Sequence, residues 1–319
     1  MRDFLIDTDT ASDDAVAIIM ALSDPDVRVL GLTTVAGNVS LEQGTRNALL
    51  TAEICKSDTP VYKGAAAPLT RAHDHAHWFH GFDGLGDVGF VPKAREAESE
   101  HAVDALLGLA EANPGLTLVT LGPLTNIALA LERDPKLVER IGRCVVMGGA
   151  PCCEGNVTPA AEYNIWVDPE AARIVFRSAL PIEMVGWHVS RGPSVLTHDE
   201  IAAIEALRTE KADFAIRSNG RAVAAYHTQT GETGLSLADP TAMAIALDRS
   251  VGLTWSKHRV AIECASELTR GMTIVDRLNV SEDENNAQVW KAQASDAKAD
   301  VVWTFDSAKF KAMLKAALA

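Results

Sequence analysis

The sequence predicts a single α/β domain over residues 1–319, with an open, mainly parallel sheet covered by helices on both faces. Three observations support this prediction. Short apolar runs alternate with stretches of helical periodicity, which is the order that builds a parallel sheet. The chain length suits one large α/β domain. No linker in the sequence divides the chain into independent parts.

Apolar patterning places five strands and the helices between them. The predicted strands are residues 4–6, 27–35, 116–121, 144–147 and 182–185. Ser12 is a predicted N-cap for the first helix, and Ser40 with Gln43 forms a capping-box pattern ahead of the second. Further helices begin at Thr125 and at Pro169, a residue suited to a first helical turn. This β-α-β-α order predicts a Rossmann-like sheet.

Two segments interrupt the alternation. Residues 63–100 are rich in Gly, His and Pro and predict a long loop. Residues 190–238 are more polar and have helical patterning, so we expect a helical appendage beside the sheet.

The composition excludes several kinds of partner. A net charge of −14 opposes binding to nucleic acid or anionic membranes and favours a small neutral ligand or a cation.

The five cysteines form no C-x-x-C motif, which indicates reduced thiols. The N-terminal residues include acids where a signal peptide needs apolar residues, and no apolar stretch is long enough to span a membrane. We therefore expect a cytoplasmic protein.

The strongest chemical signal is a cluster of four aspartates in eight residues, Asp7, Asp9, Asp13 and Asp14, between a strand end and a helix start. Carboxylates packed this closely raise one another's pKa unless a cation neutralises them. A set of ligands made only of oxygen atoms suits a hard cation such as Ca²⁺ or Mg²⁺. The plainer interpretation is a set of solvated acids that favour the helix dipole.

Two known motifs were compared with the cluster. An EF-hand loop counted from Asp7 needs Gly and Glu where this chain has Ser12 and Ile18, so that interpretation fails. Phosphatases of the haloacid-dehalogenase type open with an apolar strand and D-x-D-x-T, which residues 7–10 satisfy. The additional Asp13-Asp14 pair favours a third pattern, D-x-D-x-x-x-D-D.

This third pattern resembles the signature of the nucleoside hydrolase family, including its inosine–uridine-preferring members. Short motifs similar to the family's landmarks follow in the same order at residues 33–38, 122–126, 147–149, 154–156, 161–164, 168–171, 238–240 and 270–273. Each motif is weak alone, but the ordered set is specific and spans about residues 3–280. Several of them follow predicted strands, where ligands bind in open α/β sheets.

The resemblance implies that the chain hydrolyses the N-glycosidic bond of ribonucleosides to free base and ribose, using a Ca²⁺-bound water activated by an aspartate. It implies Asp9 as the general base. The implied Ca²⁺ ligands are Asp9, Asp14, Asp239 and the backbone carbonyl of Leu121. The implied ribose contacts are Asp13, Asn38 and Asn164 for the 2′- and 3′-hydroxyls, Asn156 and Glu162 for the 5′-hydroxyl, and Met147 for the sugar face. A homodimer or homotetramer is also expected.

The residues around the base depart from the family. Inosine–uridine-type members usually carry His before the last metal-binding Asp, where it helps protonate the leaving base, and this chain has Ala238. His80 lies in a segment similar to the family's H-G-x-x-G-L motif and is the expected substitute. Other candidates for the base pocket are Trp78, Trp187, His188, Tyr226 and His227.

Two alternatives stay open at this point. Ala238 is compatible with a non-catalytic ribonucleoside-binding protein on a decayed hydrolase scaffold, although the complete aspartate set argues against it. The crowded His73, His75, His77 and His80 could form a zinc site, or the first three could simply belong to a surface loop.

Overall fold

A computed structural model describes residues 1–93, 95–286 and 297–319. Its strands are β1 (Arg2–Thr8), β2 (Val27–Thr34), β3 (Val61–Lys63), β4 (Leu116–Thr120), β5 (Ile141–Met147), β6 (Ile182–Val185), β7 (Gly252–His258), β8 (Val260–Ile262), β9 (Thr273–Val275) and β10 (Ala299–Phe305). Eight of these form one sheet in the order β3-β2-β1-β4-β5-β6-β10-β7. Every neighbouring pair is parallel except β10 and β7. The predicted α/β class with an open, mainly parallel sheet is confirmed.

Helices cover both faces of this sheet. They are α1 (Ser12–Ser23), α2 (Leu41–Ile54), α3 (His77–His80), α4 (Ala102–Ala112), α5 (Thr125–Arg133), α6 (Leu137–Arg140), α7 (Tyr163–Val167), α8 (Pro169–Arg177), α9 (His198–Glu205), α10 (Glu210–Ser218), α11 (Gly220–Thr230), α12 (Ala238–Leu247) and α13 (Ser307–Leu318). One apolar cluster joins the sheet to α1, α2, α12 and α13, and a second joins it to α4, α5 and α8.

The period-two alternation of strand side chains supplies both clusters. In β1, Phe4 and Ile6 belong to the first cluster and Leu5 to the second, and all three are fully buried. Such two-sided burial explains why the central strands contain consecutive apolar residues instead of an alternation of apolar and polar ones.

The two segments that interrupt the alternation also take the predicted forms. After the end of β3, the described residues of segment 63–100 contain the short helix α3 within otherwise irregular chain. Residues 190–238 include α9, α10 and α11, which form the helical appendage. Within the described ranges, no helix combines the length and the apolar character needed to cross a bilayer.

The helix starts required one correction. Ser12 is not the N-cap of α1: Ala11 occupies that position, and its backbone N–H donates to Asp14 Oδ2 at 2.9 Å. The N3 carboxylate of Asp14 thus binds the N-cap backbone N–H, and no side chain at the N-cap position itself caps the helix. Ser40 does cap α2, because its Oγ accepts from the N–H of Gln43 at 3.3 Å.

Candidate active site

The carboxyl ends of β1, β2, β4, β5 and β6 meet at one edge of the sheet, and a cleft of about 690 Å³, continuous with solvent, lies there. The predicted site residues that line the cleft are Asp13, Asn38, His80, Leu121, Met147, Asn156, Glu162, Asn164 and Asp239. Asp9 and Asp14 are fully buried and are not among its lining residues. The sequence thus identified residues from distant segments that the fold gathers in one place.

Asp9 sits in a tight backbone cradle just after β1. Its Oδ2 accepts from the backbone N–H of Asn38 at 2.5 Å. A Cβ at Gly37 would lie 2.0 Å from Asp9 Oδ2, and one at Gly122 would lie 2.6 Å from Oδ1. These two positions therefore need glycine because the backbone approaches the carboxylate too closely for a side chain.

Three further acids converge beside Asp9. Asp14 accepts from the Thr8 hydroxyl at 2.6 Å, and Asp239 begins the first turn of α12. Carboxylate oxygens of Asp13, Asp14 and Asp239 all lie within 4.8 Å of one another, and this is the one such group in the described ranges. The predicted metal ligands included Asp9 but not Asp13. The structure therefore adds Asp13 to the carboxylates that could bind a cation.

The electrostatics of this group favour a bound cation. Burial, followed by repulsion from Asp14, raises the pKa of both Asp9 and Asp239 well above the ordinary value. Burial and the charge of Asp13 raise the pKa of Asp14 to about 6. Asp9 Oδ1 and Asp13 Oδ1 are enclosed without a hydrogen-bond partner among the described residues. Unpartnered carboxylate oxygens that repel one another are the donor set a hard divalent cation prefers.

The carbonyl of Leu121 and the side chain of Asn164 adjoin the acids. Asn164 Nδ2 donates to the Leu121 carbonyl at 2.7 Å, and the Met147 carbonyl and sulfur lie 3.3 and 3.2 Å from the same nitrogen. Asn164 therefore connects the ends of β4 and β5. Its Nδ2 is occupied in this arrangement, so Oδ1 is the atom left to accept from a ligand.

Glu162 is tied to the protein backbone through both carboxylate oxygens. Glu162 is the N-cap residue of α7, and its Oε1 accepts from the Asn164 N–H at 2.9 Å. Its Oε2 accepts from the Gly149 N–H at 2.7 Å. Asn156 Oδ1 accepts from the Tyr163 N–H at 2.9 Å, which leaves its Nδ2 to donate to a ligand. Both residues line the cleft, but Glu162 also organises the loops around it.

His80 and several aromatic side chains also line the cleft. His80 is buried, and its Nδ1 lies 2.9 Å from Ser12 Oγ and 3.9 Å from Asp13 Oδ1. Burial lowers the pKa of His80 below the ordinary value. Trp78, Trp187 and Tyr226 line the cleft, as predicted for a base pocket.

His188 and His227, predicted as alternative acids, do not line the cleft. His188 Nε2 lies 3.1 Å from the Val302 carbonyl, and His227 Nδ1 lies 3.1 Å from the Glu232 carbonyl. Each ring is thus bound to backbone elsewhere, and the expectation that they reach the pocket is wrong.

The three other histidines form a contact of their own. The rings of His73 and His75 are 4.1 Å apart, and those of His75 and His77 are 4.6 Å apart and stacked. His73 Nε2 lies 2.6 Å from the Gly37 carbonyl. These histidines do not belong to the metal-capable group found in the described ranges, so they brace the loop against the segment after β2.

Two residues that shape the site had no predicted role. Asn126 Nδ2 donates to Asp7 Oδ2 at 2.8 Å and to the Thr34 carbonyl at 3.0 Å, which ties β1 to β2 below the cleft. The Tyr163 hydroxyl is 2.8 Å from the Gly37 carbonyl and 2.7 Å from that of Asp74. Both residues lie inside landmark motifs, which is the only signal the sequence contained.

Comparison with known proteins decides the family. A model described as "Inosine-uridine preferring nucleoside hydrolase" matches residues 4–311. The chain belongs to this family. This nucleoside hydrolase is 41% identical over 273 residues to the non-specific ribonucleoside hydrolase RihC of Escherichia coli (strain SMS-3-5 / SECEC), covering 85% of this chain and 87% of the relative. It is 36% identical over 306 residues to uridine nucleosidase 1 of Arabidopsis thaliana, covering 95% and 88%.

A solved structure agrees with the sequence relatives. The purine-preferring ribonucleoside hydrolase from Gardnerella vaginalis superposes with a TM-score of 0.89 at 32% identity, covering 99% of this chain and 98% of that one. The nucleoside hydrolase is therefore an enzyme that hydrolyses ribonucleosides, of a metal-dependent family, with an acidic cluster available for the metal. The phosphatase and the non-catalytic alternatives are not supported.

Proposed function

We propose that this nucleoside hydrolase uses Ca²⁺ at the acidic cluster and Asp9 as the general base for the attacking water. The observation that carries the proposal is the enclosed group of carboxylates at the carboxyl edge of the sheet, with Asp9 Oδ1 and Asp13 Oδ1 lacking partners among the described residues. Oxygen ligands of this kind suit Ca²⁺ better than a transition metal.

The residues proposed to hold the ion are Asp9, Asp14, Asp239 and the Leu121 carbonyl. When bound, Ca²⁺ neutralises the clustered carboxylates and makes water a stronger acid at neutral pH. Asp9 is suited to accept the proton because the Asn38 N–H fixes one of its oxygens while the other has no partner. A base held in one orientation needs no rearrangement as the water loses its proton.

The ribose is proposed to lie against Asp13, Asn38 and Asn164, which line the cleft beside the acids. Hydroxyl groups of the sugar need fixed donors and acceptors, and these side chains provide both. As the N-glycosidic bond breaks, the sugar acquires oxocarbenium character. The surrounding carboxylates and the Asn164 amide oxygen stabilise that positive charge. Asn156, Glu162 and Met147 are proposed to contact the 5′-hydroxyl and the sugar face.

The base is proposed to occupy the aromatic part of the cleft, near Trp78, Trp187 and Tyr226, with His80 as the polar contact. Ala238 also lines the cleft, so no imidazole is available at that position. The three relatives are named as non-specific, uridine-cleaving and purine-preferring, so they do not select one base. The proposed substrate class is accordingly a ribonucleoside. A homodimer or homotetramer and a cytoplasmic location stay predictions.

A substrate and metal screen tests this proposal. The protein is freed of metal by exhaustive chelation and assayed with and without Ca²⁺ on five ribonucleosides and on 2′-deoxyuridine. We expect no turnover without metal and restoration by Ca²⁺. The 2′-deoxynucleoside should be disfavoured by about 10⁴-fold in kcat/KM, because groups built to bind a hydroxyl lose their partner. Full activity of the metal-free protein, or equal kcat/KM for uridine and deoxyuridine, would contradict the proposal.

A further inference from the structure

A buried serine and a cleft histidine from distant parts of the chain form a close pair. Ser12, the first residue of α1, is fully buried, and its Oγ lies 2.9 Å from Nδ1 of His80. Asp13 Oδ1 is 3.9 Å from the same nitrogen, too far for a hydrogen bond. Nδ1 of His80 is therefore paired with the serine hydroxyl and not with the neighbouring carboxylate.

The direction of this hydrogen bond follows from the surroundings of the hydroxyl. Within the described ranges, Ser12 Oγ has no hydrogen-bond partner other than His80. A serine in a helix often donates to the carbonyl four residues earlier, but Ser12 Oγ makes no such hydrogen bond to the Thr8 carbonyl within the described ranges. If Nδ1 carried the proton, the buried hydroxyl proton would have no acceptor, which is costly. The hydroxyl therefore donates to Nδ1.

A neutral imidazole that accepts at Nδ1 has its proton on Nε2. Among the described residues the His80 ring makes its hydrogen bond through Nδ1 and none through Nε2, and His80 lines the cleft. We propose that Ser12 is a positioning residue that holds neutral His80 in the Nε2–H tautomer, so that the ring presents a hydrogen-bond donor to the leaving base. This inference rests on the proposed function in one respect, the placement of the base beside His80.

The backbone around the pair is fixed from both sides. The Ser12 carbonyl accepts from Asn219 Nδ2 at 3.0 Å, which anchors the start of α1 to the appendage. Asn47 Nδ2 lies 2.9 Å from the Thr10 carbonyl and 2.9 Å from the Asp83 carbonyl, so it joins the segment before Ser12 to the loop after His80. These contacts support the backbone on both sides of the 2.9 Å Ser12–His80 pair.

The tautomer can be measured directly. Long-range ¹H–¹⁵N spectra of protein labelled with ¹⁵N-histidine distinguish a protonated from an unprotonated ring nitrogen, and His80→Gln assigns the signal. At pH 8 we expect the Nε2–H form in the wild type and a mixture of tautomers in Ser12→Ala. Finding the Nδ1–H form in the wild type, or an unchanged Nε2–H form in Ser12→Ala, would overturn the proposal.

Kinetics test whether the tautomer matters. Ser12→Ala should lose on the order of tenfold in kcat on a natural ribonucleoside, the scale of one neutral hydrogen bond. It should lose little on p-nitrophenyl riboside, whose leaving group needs no donor. Ser12→Thr, which keeps the hydroxyl, should retain most activity. Ser194→Ala is the matched control, since Ser194 is also buried but does not line the cleft.

The pattern across substrates separates the possible outcomes. Equal losses on both substrates in Ser12→Ala, or a loss in Ser12→Thr as large as that in Ser12→Ala, would mean that the hydroxyl serves stability only and would refute the positioning role. Failure of the proposed function itself would appear differently: the wild type would not cleave either riboside. The ¹⁵N measurement needs no turnover, so it decides the tautomer in that case too.

Discussion

Asp7, near the end of β1, and Asp9, just after this strand, show how two carboxylates two positions apart acquire different chemistry. Both are fully buried, and burial raises the pKa of Asp7 to about 7. Asp7 Oδ2 is satisfied by the Thr33 hydroxyl at 2.6 Å and by Asn126 Nδ2 at 2.8 Å, within the protein interior. Each carboxylate also has a buried Oδ1 without a partner among the described residues, but Asp9 differs in lying among other acids, and repulsion from Asp14 adds to burial in raising its pKa. Neighbouring groups, not residue type, assign the roles.

This contrast gives a matched pair of substitutions. Asp9→Asn should lower kcat by about 10²–10⁴-fold, because the amide cannot accept the proton from water, with a smaller change in KM. Asp7→Asn keeps an oxygen that can accept from Thr33 and Asn126, so its loss should be far smaller. Steady-state kinetics measure kcat and KM of both variants, and melting temperatures check that both are folded. Near-normal kcat in Asp9→Asn would assign the base to another residue.

At the residue scale, the sequence predicted that the acidic side chains lie together but did not predict the individual contacts of the site residues. The spacing of Asp9, Asp13 and Asp14 after an apolar run was enough to predict an acidic cluster at a strand end. Nothing in the sequence indicates that Glu162 binds the Gly149 N–H, or that Ser12 meets His80 across 68 positions of chain. Such contacts depend on the final packing of segments that are remote in sequence.

At the scale of elements, the site is held by supports outside the cleft. Thr273 at the start of β9 has its hydroxyl 2.9 Å from the Ala150 N–H, in the loop that follows β5. The turn before β9 is attached to α8 by a bidentate ion pair between Arg270 and Glu170, at 2.7 and 2.9 Å. The motifs at 168–171 and 270–273, similar to the family's landmarks, therefore support the site rather than contact substrate.

Removal of this ion pair should be costly. The Arg270 side chain is only 7% exposed and that of Glu170 18%, so Arg270→Ala leaves a largely buried carboxylate without its partner. We expect the free energy of unfolding to fall by about 3 kcal/mol, the lower end of the range for breaking a buried pair. Arg217, paired with Asp213 on the exposed side of α10, is the control, and Arg217→Ala should cost about 0.5 kcal/mol or less. Urea denaturation measures both, and equal losses would contradict the assigned role.

At the scale of the whole molecule, the parallel arrangement of the early strands was predictable and the position of the last strand was not. Alternating apolar runs and helices through β6 follow the local rules that generate a parallel sheet. β10, near the end of the chain, inserts between β6 and β7 and pairs with them in opposite directions. No local pattern in residues 299–305 specifies which strands β10 pairs with. Its pairing depends on how the whole sheet packs.

The acidic cluster also links the stability of the whole molecule to pH and metal. The raised pKa values of Asp9, Asp14 and Asp239 mean that, without metal, the folded chain retains protons that the unfolded chain has lost. For such groups the free energy of unfolding falls as pH rises from the unfolded toward the folded pKa. For Asp14 that window runs from about 4 to about 6. Ca²⁺ competes with these protons, so it should bind more tightly as they dissociate.

We therefore expect the stabilisation by Ca²⁺ to grow as pH rises from 5 to 7.5. The measured quantity is the difference in free energy of unfolding with and without saturating Ca²⁺, from urea denaturation at constant ionic strength. Histidines that lie outside the cleft, such as His188, change the free energy of unfolding equally with and without Ca²⁺. Their contribution is therefore absent from the difference. Asp14→Asn removes one titrating ligand and should weaken both the stabilisation and its pH dependence. A Ca²⁺ stabilisation that stays constant across this range would show that the bound ion does not displace protons from the aspartates, and would place the metal elsewhere.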